Sequence, residues 1–159
     1  MDCKERLENY LRENGVAYQT QHHPLAYTAQ EIAASEHVPG KLFAKVVMAR
    51  ADDKMLMVVA PATHRVDLAA VAREVGAREA RLAREEEFQQ SFPDCEVGAM
   101  PPFGNLYGVP VFVDESLSED AYIVFQAGTH TDTMSMRYAD YARLVQPKVG
   151  RFAHPAWAH

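Results

Sequence analysis

"LFAKVVMARADDKMLMVVA" (Leu42–Ala60) holds two apolar runs, "LFAKVVMA" and "MLMVVA", on either side of the turn-like "RADDK". Short apolar runs bounded by polar turn residues predict a β-hairpin. Strand alternation puts Phe43, Lys45 and Val47 on one face and Ala44, Val46 and Met48 on the other, so Lys45 has apolar neighbours either way. Two readings of this ammonium stand. On an edge strand it snorkels to water and blocks edge pairing. Projecting from a rigid strand into a pocket, it holds a phosphate or a carboxylate.

Helices and strands flank the hairpin. Upstream, "DCKERLENYLRENG" has Asp2 and Glu5 in a capping-box spacing, Leu7, Tyr10 and Leu11 on one stripe, and Gly15 as a stop, which predicts a first helix. "VAYQTQHHP" alternates like a strand, and Thr28 with Glu31 opens a second helix over "TAQEIAASEHV". Downstream, "DLAAVAREVG" predicts a helix from Asp67 to a Gly76 cap, and "REEEFQQSF" a short one with Glu85, Glu86 and Glu87 on a solvated face. "CEVGAMPPFGNLYG" is a turn-rich loop with almost no charge. Strand candidates "VPVFVDES", "YIVFQAG" and "HTDTMSMR" follow, then the helix "YADYARLVQ" and a tail rich in His and Pro. Strands and helices without regular βα alternation predict an α+β fold.

The chain has 159 residues, 48% of them hydrophobic, enough for one sizeable core, and the expectation is a single domain over 1–159 with its core at about 5–147 and a tail at 148–159. The net charge of -6 argues against a broad basic surface gripping long nucleic acid, DNA included. The two cysteines, Cys3 and Cys95, fit no metal spacing, so neither a disulfide framework nor a structural metal is expected, and the compartment reads as reducing. No apolar segment reaches the roughly 20 residues that span a bilayer. The charged N-terminus is unlike a signal peptide, so the expected location is cytoplasmic.

Among titratable candidates, His130 shares strand parity with Asp132, Met134 and Met136, which would bring it to the rim of a core face. A histidine there is either a hydrogen-bonded structural residue or a catalyst. His22 and His23 read as strand-end residues, and His154 and His159 as tail. No H-E-x-x-H pattern, G-x-S-x-G elbow or phosphate-loop signature is present, so the residues alone point to a pocket lined by a lysine and a glycine/proline loop.

Taken in order, "HHPLAYTAQEIA", "LFAKVVM", "VGAMPPFG", "VFVDESL" and "QAGTHTDTMSMRYADYARL" resemble the YbaK-like and prolyl-tRNA synthetase-associated editing domains, over almost the whole chain. The resemblance implies an α+β domain around a mixed, barrel-like β-sheet flanked by helices. It implies hydrolysis of the ester that links a wrong amino acid to tRNA, in trans and without a cofactor. Lys45 matches the family's active-site lysine, Gly98 and Pro102 its G-x-x-x-P loop, and His130, after Gly128 and Thr129, a pocket position often filled by histidine. Val46 stands where the family usually has threonine, and no amino-acid specificity is assigned.

In that chemistry the amides of Gly98, Ala99 and Met100 face the ester or its oxyanion, and Lys45 anchors the terminal adenosine phosphate. Tyr27, Thr28, Met100 and Phe103 are the expected pocket side chains. Cations expected at the tRNA acceptor end are Lys41, Lys45, Arg50 and Lys54, too few for tight binding alone, so a synthetase or elongation factor is the expected source of local concentration. Two other classes fit the same pocket: a non-catalytic module that binds an amino acid, a nucleotide or a tRNA end, and a hydrolase of small esters or amides.

Overall fold

The computed structural model describes residues 1–25, 28–36 and 38–157, the side chain of Ser35 excepted. Helix α1 (Cys3–Glu13) starts where the capping box places it, with the Asp2 carboxylate accepting the Glu5 amide at 2.8 Å and with Leu7 and Leu11 buried. Strand β1 (Tyr18–His22) leads to α2 (Ala29–Ser35), which is capped by the Thr28 hydroxyl. The hairpin is β2 (Ala44–Ala51) and β3 (Lys54–Pro61), in register from Ala44 opposite Pro61 to Ala51 opposite Lys54. Then come β4 (His64–Val66), α3 (Leu68–Val75), β5 (Ala80–Leu82) and α4 (Glu85–Phe88). After the loop, β6 (Val111–Asp114), β7 (Tyr122–Gln126), β8 (Asp132–Arg137), α5 (Tyr138–Val145), β9 (Lys148–Gly150) and β10 (Ala153–Pro155) complete the fold.

The strands form a five-stranded sheet in the order β5-β2-β3-β6-β9, a three-stranded sheet β1-β8-β7, and a ribbon of β4 with β10. The larger sheet is mixed, because β6 runs parallel to both β3 and β9. A parallel bridge from Phe43 to Val124 joins it to the smaller one, so the barrel-like sheet expected from the sequence is built as separate hydrogen-bonded sets meeting at that point. The fold is α+β.

Three apolar clusters explain where Lys45 lies. Ala44 and Met48 pack into the main core with Leu7, Phe103, Phe125 and Tyr141. On the other face of β2, Phe43 joins Ile32 and Ala62, while Ala49 and Ala51 join Val71 and Phe152. Alternation puts Lys45 on this second face, between the two smaller clusters. Only Ala49 to Ala51 of β2 pair with β5, so the half of the strand that carries Lys45 has an open edge there.

Two expectations are corrected. Cys3 and Cys95 form a disulfide. Their separation of 92 residues carries no local signal; the docking of α1 decides the pairing, with the Cys3 amide donating to Asp94 O at 3.0 Å and Arg6 pairing with the Asp94 carboxylate at 2.7 Å. His130 is the second correction, because β8 begins only at Asp132 and His130 belongs to the turn before it. Met134 and Met136 do face the core. The tail, whose order the sequence left open, supplies β9 and β10, and its Phe152 is buried edge-on against Phe112. No helix among the described residues is long and apolar enough to cross a membrane.

Candidate active site

The G-x-x-x-P loop is shaped by its own backbone. The Ala99 amide donates to Glu96 O at 3.0 Å, closing a turn around Gly98, whose φ of 84° is left-handed. A Cβ at Gly98 would lie 3.6 Å from Cε1 of His130. His130 in turn clasps the loop, its amide donating to the Glu96 carboxylate at 2.9 Å and its Nε2 lying 2.8 Å from Val97 O. A carbonyl only accepts, so Nε2 carries a proton and donates it to Val97 O.

The turn between β7 and β8 is the loop's partner. Glu96 N donates to Gly128 O at 2.9 Å, and Gly128 N to Ala99 O at 3.0 Å. Gly128 has a φ of 97°, and a Cβ there would come within 2.8 Å of Cys3 Cβ and Sγ, so this position admits only glycine. The Thr129 hydroxyl donates to the Asp132 carboxylate at 2.6 Å and accepts the Thr131 amide, which fixes the turn. Gly98, Ala99, Gly128, Thr129 and His130 are thus brought together.

The far side of the loop is fastened to the core. Pro102 O accepts the buried Tyr141 hydroxyl at 2.7 Å, and Phe103, fully buried, packs edge-on against the Tyr141 ring at 5.3 Å. Met100 also lies in the main core. Among the described residues, the amides of Gly98 and Met100 have no hydrogen-bond acceptor, whereas that of Ala99 is used inside the turn. Thr28 spends its hydroxyl on capping α2, accepting from Glu31 N and donating to the Glu31 carboxylate at 2.8 Å. Tyr27 lies outside the described residues.

A second group forms around Lys45. Its half-buried ammonium donates to the carbonyl of His64, and no carboxylate among the described residues lies within ion-pair distance of it. Burial lowers the Lys45 pKa below its usual value, and the charge of Arg65 pushes the same way. Burial likewise lowers that of His64; the Asp114 carboxylate opposes the shift, while Lys45 and His154 add to it. Sequence reading missed His64, Arg65 and His154, because β4 and β10 are three residues each and have no measurable periodicity.

Two of the other expected cations, Arg50 and Lys54, are elsewhere. Arg50 lies five residues along β2, about 16 Å at about 3.3 Å per residue, donating to Asp53 O and pairing with Glu87. Lys54 borders a concavity of about 860 Å³ at the hairpin tip, with Val75, Pro110, Phe112 and Gln146. That hollow holds none of the expected pocket residues, and the chemistry of the loop and of Lys45 outweighs its size as a guide. Cys3, Asp94 and Cys95 have ligand atoms within 4.8 Å of one another, but the disulfide spends both sulfurs on each other.

The family model described as the aminoacyl-tRNA editing domain matches residues 23–144. The multifunctional Ser/Thr-tRNA deacylase ProXp-y of Escherichia coli strain K12 is 29% identical over 102 residues, 64% of this chain and 60% of that protein. Its counterpart in Escherichia coli O157:H7 gives the same figures, so the match spans under two thirds of these relatives' length. Among solved structures, a candidate trans-editing enzyme for prolyl tRNA synthetase superposes with a TM-score of 0.84 at 20% identity, over 97% of this chain and 98% of that one. The hypothetical protein APE2540 gives 0.84 at 18% identity, over 94% and 99% of the two chains. These two likenesses bear on the fold. The matched span takes in Lys45, the G-x-x-x-P loop and His130, and the chain belongs to the aminoacyl-tRNA editing domain family.

Proposed function

We propose that the chain is an aminoacyl-tRNA deacylase that hydrolyses the ester of mischarged tRNA in trans, in the cytoplasm. The observation that carries this reading is the exposed, left-handed Gly98 beside His130, with the Gly98 and Met100 amides left without an internal acceptor among the described residues. Two such amides suit an oxyanion that develops as water adds to the ester carbonyl. An aminoacyl ester is already activated, so placing water and stabilising the oxyanion are the main demands. When the tetrahedral intermediate collapses, the ribose oxygen leaves with a proton from the attacking water. The products are the free amino acid and a free ribose hydroxyl. A neighbouring ribose hydroxyl, or a hydroxyl of the amino acid itself, relays that proton.

In this reading Lys45 anchors the terminal phosphate of the acceptor end, and His130 is a positioning residue that holds the loop through Glu96 and Val97. Pro102 and Phe103 act from behind the loop, as the fixed wall against the core. Serine and threonine esters are the first substrates to try, given the activity named for the Escherichia coli relatives. A synthetase or elongation factor would raise the local concentration of a protein whose net charge of -6 gives it little hold on tRNA.

The test is single-turnover hydrolysis of tRNA charged with Ser, Thr, Ala, Cys or Pro, with Lys45→Ala as the control. Fast loss of one or a few esters, slowed by about 100-fold or more in the variant, is the expected result. Stable esters on bound tRNA would make the chain a binding module. Equal turnover of small aminoacyl esters would make it a general esterase.

A further inference from the structure

The ribbon of β4 and β10 joins features that the deacylase reading leaves unused. Its register sets His154 opposite Arg65 and Pro155 opposite His64, so Arg65 and His154 share one side. Asp67 N to Phe152 O (2.8 Å) and Ala156 N to Thr63 O (3.0 Å) extend the pairing at both ends. The second of these bonds seats Trp157 next to the ribbon, 81% exposed. An exposed tryptophan is uncommon on a soluble domain, since its large apolar surface is normally covered.

The cations nearby stand outside any ion pair among the described residues. Lys45 reaches the ribbon through its bond to His64 O, the Arg65 guanidinium lies close enough to act on the Lys45 charge, and the imidazoles of His64 and His154 stand beside them. None of the four is within ion-pair distance of a carboxylate among the described residues. The nearby carboxylates are committed elsewhere. Asp114 accepts the amides of Phe152, Ala153 and Ser116 together with the Ser116 hydroxyl, and Asp67 caps α3 through the Ala70 amide.

Cations outside any ion pair and an exposed aromatic ring on one ribbon are the two elements of single-strand recognition, in which phosphates meet the cations and a base stacks on the ring. We propose that the β4/β10 ribbon binds the single-stranded 3′ end of an RNA, with Arg65 and His154 on a phosphate and Trp157 stacked on a base next to the Lys45 site. The inference rests on the deacylase reading for the kind of RNA, and it adds a strand from the tail to the surface that holds it.

Trp157 is the one tryptophan in the chain, so intrinsic fluorescence reports on it alone. The probe is an uncharged RNA hairpin ending in a single-stranded CCA, with a blunt hairpin as control and a labelled copy to follow binding by anisotropy. The expected result is quenching by the CCA hairpin that saturates with the anisotropy, and little quenching by the blunt one. Trp157→Ala should weaken binding by about 5- to 150-fold, the loss of one stacked base, with Trp157→Phe recovering most of it. Arg65→Ala should lower the slope of log affinity against log salt by about 1. Binding with unchanged fluorescence, Trp157→Ala within twofold of wild type, or no RNA binding at all would overturn the proposal. The probe carries no ester, so a failed deacylase assay and a failed ribbon give separate results.

Discussion

At the scale of single residues, Gly98 is the sharpest point in the loop. Alanine there would hold a left-handed backbone at a cost of about 1–2 kcal/mol, with its Cβ against His130. Gly98→Ala is expected to lower kcat by about 10-fold or more, since a displaced oxyanion donor costs up to 10²–10³, and to lower the urea midpoint by an amount that matches that backbone cost. Unchanged kcat would take the Gly98 amide out of the mechanism. Lys45 makes the opposite case. Its ammonium is half-buried without a carboxylate partner among the described residues, so Lys45→Met should keep stability within about 1 kcal/mol of wild type while deacylation collapses. A larger loss of stability would mark the lysine as structural. The sequence pointed to Lys45, Gly98 and His130 because each stands in a short pattern. It was silent on Glu96 and on the bonds that join Glu96 and Ala99 to Gly128, since hydrogen bonds between residues so far apart in the chain leave no periodic trace.

At the scale of elements, capping residues were the most informative letters in the chain. Asp2, Thr28 and Asp67 each accept the amide three residues on, and Gly76 takes the left-handed cap with a φ of 75°. These bonds are local, so sequence reading finds them. Short strands escape it because tertiary partners, not patterning, hold them in place, as with β4 and β10. Helix α4 was read as a solvated acidic face, yet Glu87 ties it to two strands. Its carboxylate takes both guanidinium nitrogens of Arg81 at 2.8 and 2.9 Å, the Arg84 amide at 2.8 Å and Arg50 at 3.4 Å. The Arg81 bonds and then the Arg84 amide hold its pKa down at about 2, from an ordinary 4.5. A carboxyl depressed in the folded state adds stability that is complete above its unfolded value and is lost as pH falls through its folded one. Glu87→Gln should therefore flatten the stability profile between about pH 4.5 and 2. An unchanged profile, followed by urea midpoints across that window, would contradict the assignment.

At the scale of the molecule, the tail and the disulfide each close the fold over a long distance. The Asp114 carboxylate holds the tail through the Phe152 and Ala153 amides, which places β10 against β4. The disulfide joins the first turn of α1 to the entry of the G-x-x-x-P loop. Reducing the oxidised protein is expected to cost about 2–4 kcal/mol, the usual worth of a link that closes so long a loop. Equal urea midpoints with and without reductant would show that the hydrogen bond to Asp94 O and the Arg6 ion pair already suffice. The α+β class could be read from element order alone. The division into separate sheets could not, because it depends on which strand edges meet.

The pairing of β1 with β8, Tyr18 opposite Met136, also sets a timetable for synthesis. Strand β1 is made well before β8, its partner, which lies more than a hundred residues later, roughly 6–24 s at 5–20 residues per second. During that interval the edge of β1 that pairs with β8 has nothing native to cover it. The nascent chain is thus most in need of a chaperone at that edge, and slowing translation between β1 and β8 would lengthen the exposure.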